Sequence, residues 1–548
     1  MGLPHHRWLG NIALAAAIGA SSVLLMSSCG RRSSHVDKNV REQILLIGNK
    51  DEPDTFDPHL SNASSTHGIL STLFEGLVNL ANDAETILPG VADRWEISTD
   101  TLTYTFHLRA NAHWSNGDAL TAVDFRDSFL RIIDPKLGSE CATYMLCIAG
   151  ARDFLEGRSL DPATVGVRVI DAQTLAITLA HPAPYCLKLL SQCPFYPVHR
   201  ASVEAAGGWR IRTGDWTRSG HLISNGAFTL AEWRQNAFTR VVRNEEYWGA
   251  AKVRLKELRF FPTDNEASEE LSYRSGQLHV TYRIPEHKVA IYERDRPTEI
   301  HLAPLLRTDL LTFNVSAAPF TDARLRRAFA LAVDRPRLVK AALGKLGISA
   351  TAMTPPSSSF TPKPVVRFDV AEAKRLLTEA GFPGGAGLPA IQLSLNGNAG
   401  SPLLIGELVQ QMWLENLGVR VELRPLEFKI YLTLNRTKDF QVTLDGWSSG
   451  IPDPRDLLQT ATSRDPNNSA GWSNTEFDQA FAAADATGAV AERNRAFDEM
   501  EAVIARETPY SPLYHAVQGF LVQTTVHGWR DNPLRLVDWR ELWLESPP

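Results

Sequence analysis

The chain has 548 residues, 44% of them hydrophobic and 22% charged, with a formal net charge of −6. Such a balance excludes a disordered chain, and weak acidity spread along the whole length argues against nucleic acid as a partner. At a prior of roughly 150 residues per domain, the length predicts two to four domains.

The first element is an export signal. Arg7 and two histidines precede an apolar run over 12–26, which closes on Ser27-Ser28 directly before Cys29. Charged start, short apolar stretch and small-residue end form the pattern of a secretory signal. The run is shorter than the roughly 20 residues a membrane crossing takes. A cysteine after the small pair resembles the lipobox of bacterial lipoproteins, although members more often carry Leu where Met26 stands. The resemblance implies cleavage before Cys29 and acylation of its thiol and new amino group; the alternative is an ordinary signal with an incidental cysteine. Residues 1–28 are then the signal and 29–39 a polar, basic tether. No second apolar stretch reaches membrane-spanning length.

Beyond the tether, strands and helices mix without a visible repeat. Over 101–109, Leu102, Tyr104, Phe106 and Leu108 alternate with polar residues, which predicts a half-buried strand. Thr121, three before Asp124, has capping-box spacing and leads into a helix. Leu175, Ile177 and Leu179 repeat the strand period. Asp369 is placed to cap a helix over 370–380 that Gly381 stops. A helix over 403–417 ends at Gly418, and a strand over 419–423 follows at once. Helix, glycine and strand in succession point to α/β layering in the second half. Cys141, Cys147, Cys186 and Cys193 allow three disulfide pairings or free buried thiols, and spacing does not choose.

Gly446-Trp447-Ser448-Ser449-Gly450 satisfies G-x-S-x-G behind a strand predicted over 440–444. A nucleophile elbow also needs a helix just past the serine. Pro452 and Pro454 forbid that immediate helix. No GxxxxGK[ST], HExxH or CxxC occurs, and nothing in the sequence assembles a nucleophile, a base and an oxyanion donor. The expectation is a binding protein with no catalytic residue, cofactor or metal.

Several ordered stretches carry a resemblance. They run Glu52-Pro53-Asp54-Thr55-Phe56-Asp57-Pro58, Leu73-Phe74-Glu75-Gly76-Leu77 and Pro89-Gly90-Val91-Ala92-Asp93-Arg94-Trp95-Glu96. Trp114-Ser115-Asn116-Gly117-Asp118, Arg243-Asn244-Glu245-Glu246-Tyr247-Trp248 and Pro319-Phe320-Thr321-Asp322-Ala323-Arg324-Leu325-Arg326 follow, then Gly446-Trp447 with Pro452-Asp453-Pro454. In order and spacing the chain resembles the periplasmic oligopeptide-binding proteins (extracellular solute-binding protein family 5), substrate receptors of peptide ABC importers. The resemblance implies an α/β, two-lobed periplasmic-binding-protein fold with an extra insert and a hinged cleft. Domain I takes 40–77, 190–305 and 515–548; the insert, domain II, takes 78–189; domain III takes 306–514. Crossings near Pro304-Leu305 and Tyr514-His515 serve as hinge strands. The implied activity is capture of oligopeptides by hinge closure and delivery to ABC permease subunits, by a monomer held to a bacterial membrane, periplasmic or at the cell surface.

The chain also departs from its family. Peptide receptors place an aspartate three residues past the tryptophan matching Trp447, where it pairs with the ligand's amino terminus; here that residue is Gly450. The basic contacts to the carboxyl end fall on Leu343, Pro402 and Leu444. Enclosing a charged terminus without a counter-charge costs several kcal/mol. Asp445 is a candidate substitute, otherwise a solvent-facing turn residue. Arg307 and Asp309, on the strand entering the second lobe, are candidate replacements, otherwise an exposed strand face. Gly446 and Trp447 complete the expected site, Trp447 as an apolar wall or as plain core. A non-peptide or end-blocked solute such as a cell-wall fragment, or a signalling or chaperone-like role without transport, is the alternative.

Overall fold

Three sheets of four, four and six strands divide the hydrophobic residues of this chain among separate cores, seen in a computed structural model that describes residues 35–397 and 401–546. The signal and Cys29 lie outside the described residues. The expected tether meets ordered structure early. A helix spans His35–Glu42 and buries Val36 and Val40, four apart on one face, in the first lobe's core. The Val36 N–H also donates to the Gly276 carbonyl.

The first lobe's sheet orders Ile44–Gly48, Glu257–Phe261, Phe238–Arg243 and Phe228–Arg234, the first pair parallel and the others antiparallel. The insert is an antiparallel sheet of Ala92–Ile97, Thr103–Leu108, Thr174–Thr178 and Val167–Asp171. Tyr104, Phe106 and Leu108 point into its core as the alternation predicts. The helix Ala122–Ile132 starts where the Thr121 N–H donates to Asp124 at 2.8 Å. From its last turn Arg131, wholly buried, reaches out of the insert and meets Asp57 through two hydrogen bonds of 3.0 and 2.7 Å. It also approaches His59 Nδ1 at 2.9 Å.

In the second lobe, Ile391–Asn396 lies parallel to both Val421–Leu426 and Val442–Ser448. The helices Ser401–Leu417 and Phe428–Thr437 make the crossovers, so the layering is α/β as expected. Asp369 accepts from the Glu372 N–H at 3.0 Å and caps Val370–Glu379. Two strand boundaries differ from the sequence reading. The strand expected over 419–423 begins at Val421, and that expected over 440–444 runs over Val442–Ser448. The second shift has a cause: its ladder against Arg307–Phe313 continues to Ser448 and carries Gly446 and Trp447 into the sheet.

Two long strands, Ile300–Phe313 and Tyr510–Leu521, pair antiparallel and run from one lobe into the other. Ala303 and Phe520 belong to the first lobe's core, while Leu311, Phe313 and Leu513 belong to the second's. Between them the register shifts from Pro304 to Thr308 and again from Asp309 to Leu310. A ladder weakened midway between two rigid cores is where φ/ψ changes are most easily absorbed.

Candidate functional site

Between the lobes lies a cleft of about 1390 Å³, lined from the first lobe, the second lobe and the C-terminal segment. Its centre follows from strand register. Pairing of Ile300–Phe313 with Val442–Ser448 sets Arg307 opposite Ser448, Asp309 opposite Gly446 and Leu310 opposite Asp445. Arg307 and Asp309, two apart, share a strand face, and the guanidinium grips the carboxylate with bonds of 2.9 and 2.7 Å. Burial disfavours the Arg307 charge, yet the Asp309 carboxylate outweighs it and lifts the guanidinium above its ordinary pKa. Gly446 makes the arrangement possible, because a Cβ there would overlap Arg307 Nη2 and Asp309 Oδ1.

Asp445 also lines the cleft. It accepts from the Gly446 N–H at 2.8 Å and from the Trp447 indole at 3.3 Å. Burial pushes its carboxyl above the ordinary range, and these two donors offset only part of the rise. Trp447 is the exception among the expected residues. Its ring packs on Tyr510, centroids 4.6 Å apart, against a core cluster, and it does not wall the cleft. Gly446 and Ser448, opposite Asp309 and Arg307 in the ladder, share their face on the cavity; Trp447 lies on the other face and packs inward, while Asp445 beside it still reaches the cavity.

At Gly450 the backbone N–H donates to Asp456 at 2.6 Å, and Asp456 does not line the cleft. Leu343, Pro402 and Leu444 do line it, and they present an apolar wall. Among the described residues the G-x-S-x-G serine meets no base: Ser448 Oγ meets Arg307 Nη1 at 3.4 Å, and the next helix starts only at Pro454. All four described cysteines are buried and free. Burial pushes Cys141 and Cys193 up to about 12, far from thiolate chemistry. Among the described residues no group of three or more His, Cys, Asp or Glu could hold a metal ion.

Sequence reasoning missed the first lobe's contribution. Glu75, nearly fully buried on the cleft floor, accepts from Asn79, Tyr247, Trp248 and Arg540 at 2.9, 2.8, 2.6 and 2.6 Å. Leu73-Phe74-Glu75-Gly76-Leu77 and Tyr247-Trp248 both belong to the stretches that carry the family resemblance, and that is the signal for it. Tyr282, Arg283 and Arg535 also face the cavity, and no short motif joins them.

Residues 86–469 match the model of the middle region of bacterial extracellular solute-binding proteins, family 5. The periplasmic murein peptide-binding protein MppA of Escherichia coli is 32% identical over 500 residues, covering 90% of this chain and 91% of that one. The periplasmic oligopeptide-binding protein OppA of Salmonella typhimurium is 31% identical over 539 residues, covering 95% and 96%. The probable deoxycholate-binding periplasmic protein YgiS of Escherichia coli is 30% identical over 522 residues, covering 92% and 94%. The solved structure of the Escherichia coli murein tripeptide-binding protein MppA, 31% identical, superposes with a TM-score of 0.82, covering 91% of this chain and 98% of that one. The unliganded open form of MppA gives 0.72, at 92% and 97% coverage. The lobes here are thus arranged less like that open form.

Proposed function

This chain belongs to family 5 of the bacterial extracellular solute-binding proteins, and from that premise we propose that it is the substrate receptor of an ABC importer. It captures peptides between its lobes and delivers them to membrane permease subunits. The observation that carries the reading is a cavity walled by both lobes and crossed by two strands that weaken midway. A solute touching both walls binds the closed form more tightly and shifts the population toward it. The volume exceeds the roughly 300–1,000 Å³ typical of drug-sized ligands and has room for several residues. Arg307, Asp309, Asp445 and Gly446 are the polar centre we assign to the ligand. The likeness to the oligopeptide- and murein peptide-binding proteins supports a peptide class.

The mature chain acts as a periplasmic monomer, anchored through lipid on Cys29, with no catalytic residue. Its domains are 40–77 with 190–305 and 515–548, then 78–189, then 306–514. Of the two carboxylates near the expected amino-terminal position, Asp445 lines the cavity while Asp456 accepts from the Gly450 N–H and does not, so Asp445 is the group we assign to a free amino terminus.

Native mass spectrometry of the protein as isolated, followed by X-ray scattering with and without a captured peptide, tests the proposal. A co-purifying peptide mass and a smaller radius of gyration on binding are expected. A protein that holds no peptide from a free- and capped-end library, with unchanged scattering, refutes it. For the anchor, Cys29→Ser should release the protein from membranes and abolish acyl labelling.

A further inference from the structure

Arg535 has more hydrogen-bonding capacity than the protein uses. Its Nη1 donates to the Tyr282 hydroxyl at 2.8 Å, the one hydrogen bond its guanidinium makes to a described residue, although a guanidinium carries five N–H donors. No carboxylate of the described residues comes within 4.0 Å of it. Arg283 flanks the same phenol from the chain side, so two guanidiniums sit over one ring at 5.2 and 5.9 Å from its centroid. Arg283 itself reaches only Glu266, at 3.3 Å. Arg307, already committed to Asp309, is close enough that its charge weighs on Arg535. Of the three cations, Arg307 holds Asp309 and Arg283 reaches Glu266, whereas Arg535 has no carboxylate of the described residues within 4.0 Å.

Both supports are built and rigid. The Tyr282 and Arg283 N–H groups donate to buried Glu269 at 2.8 and 3.2 Å, and Gln518 donates to the Tyr282 carbonyl at 2.8 Å. Arg535 stands in the left-handed region at φ 59°. Buried Asn532 holds that turn, accepting from the N–H groups of Leu534 and Leu536 at 3.0 and 2.9 Å. Leu306, on the strand linking the lobes, donates its N–H to Pro533 at 3.1 Å. A non-glycine residue in that conformation persists where the surroundings enforce it. Burial, with Arg283 and Arg307 adding to it and Tyr282 opposing, lowers the Arg535 pKa; such a group gains when an anion arrives.

We propose that Arg535 and Arg283, on either side of Tyr282, form a subsite for a carboxylate of the captured solute. The inference rests on the cleft-capture reading and adds to it that the favoured ligands are acidic, with their carboxylate held from the first lobe and the C-terminal segment. Leu343, Pro402 and Leu444, which also line the cavity, carry no charge.

Calorimetric titration of the full mature chain with three probes tests this: Ala-Ala-Ala, its C-terminal amide, and Ala-Glu-Ala amide. The free acid should bind wild type at least tenfold more tightly than the amide if the terminal carboxylate is the one held. The glutamyl amide should do so if a side-chain carboxylate is. Arg535→Met should erase that advantage while leaving the plain amide within about twofold, and Arg283→Met should reduce it. Arg535→Lys should restore part, because charge returns without the fork. Equal losses for acid and amide, or no change in either, overturn the subsite and leave the cleft reading standing. If none of the three binds wild type at millimolar concentration, the peptide reading falls and takes the subsite with it. Circular dichroism melts of each variant separate lost binding from lost folding.

Discussion

Replacing Glu75 by glutamine changes one oxygen into an NH2 group and should still be among the costlier single substitutions in the first lobe. The carboxylate accepts four hydrogen bonds in a nearly water-free site, three on Oε1 and one on Oε2. An amide oxygen kept toward Tyr247 and Arg540 turns its NH2 toward the Trp248 indole, donor against donor. Arg540 keeps Asp538, which it grips at 2.7 Å through two nitrogens, but loses its second negative partner. A charge-assisted bond contributes about 1.5–3 kcal/mol, and an orphaned buried donor costs about 1–3. The sum is roughly 3–5 kcal/mol. Equilibrium urea unfolding by circular dichroism reads the total, and hydrogen exchange across residues 225–248 shows whether the loss is local. Adding Trp248→Phe removes the orphaned donor and should recover about 1–2 kcal/mol of it. A cost below 1 kcal/mol for Glu75→Gln, or a second substitution that adds to the damage, would refute the reasoning.

Arg131→Met leaves Asp57 buried and unpaired and should cost about 3–5 kcal/mol, whereas Arg131→Met with Asp57→Leu should cost much less; denaturant midpoints of the singles and the double measure the coupling. Gly446→Ala should pry Arg307 from Asp309 and weaken ligand binding about tenfold, with a melting point within a few degrees of wild type; unchanged affinity would detach that pair from the site. Three buried histidines should withdraw stability as pH drops from 6.5 toward 4. His59, His279 and His515 are each held down to about 4, chiefly by burial, so in that window the unfolded chain takes up protons that the folded one refuses. Glu269 works the other way: burial raises it to about 7, so the folded state keeps its proton longer and loses stability as pH climbs from 4.5 through 7. Asp445, Asp456 and Glu501 are raised by burial and act in the same sense as Glu269, so the histidine contribution is read singly: His279→Gln should flatten the pH dependence of the urea midpoint between 6.5 and 4, and an unchanged slope would contradict it.

Local signals carried far along this chain. The alternation over 101–109 assigned Tyr104, Phe106 and Leu108 to a core, and Asp369 and Thr121 marked helix starts, because period and capping act within a few residues. Trp447 shows the limit. Its place on a strand was readable, but which face looked into the cleft depended on register with a strand 140 residues earlier. The helix at His35–Glu42 shows a signal underweighted, since Val36 and Val40 already had helical spacing inside a polar run. Arg283 and Arg535 meet over Tyr282 from segments some 250 residues apart, and only the folded hinge region brings them together. Glu75 gathers donors from three segments, two of them distant in sequence, for the same reason.

Ile451 belongs by sequence to the second lobe, yet it sits almost fully buried within the insert's core, beside Arg455, whose guanidinium lies over the insert's Tyr185 at 4.6 Å. Swinging the halves apart has to extract that aliphatic plug. Exposing an isoleucine to water costs about 1.5–3 kcal/mol. That contact favours the closed arrangement by roughly ten- to a hundredfold, guest or no guest, so Ile451→Ala should open the empty protein further and loosen its hold on the guest.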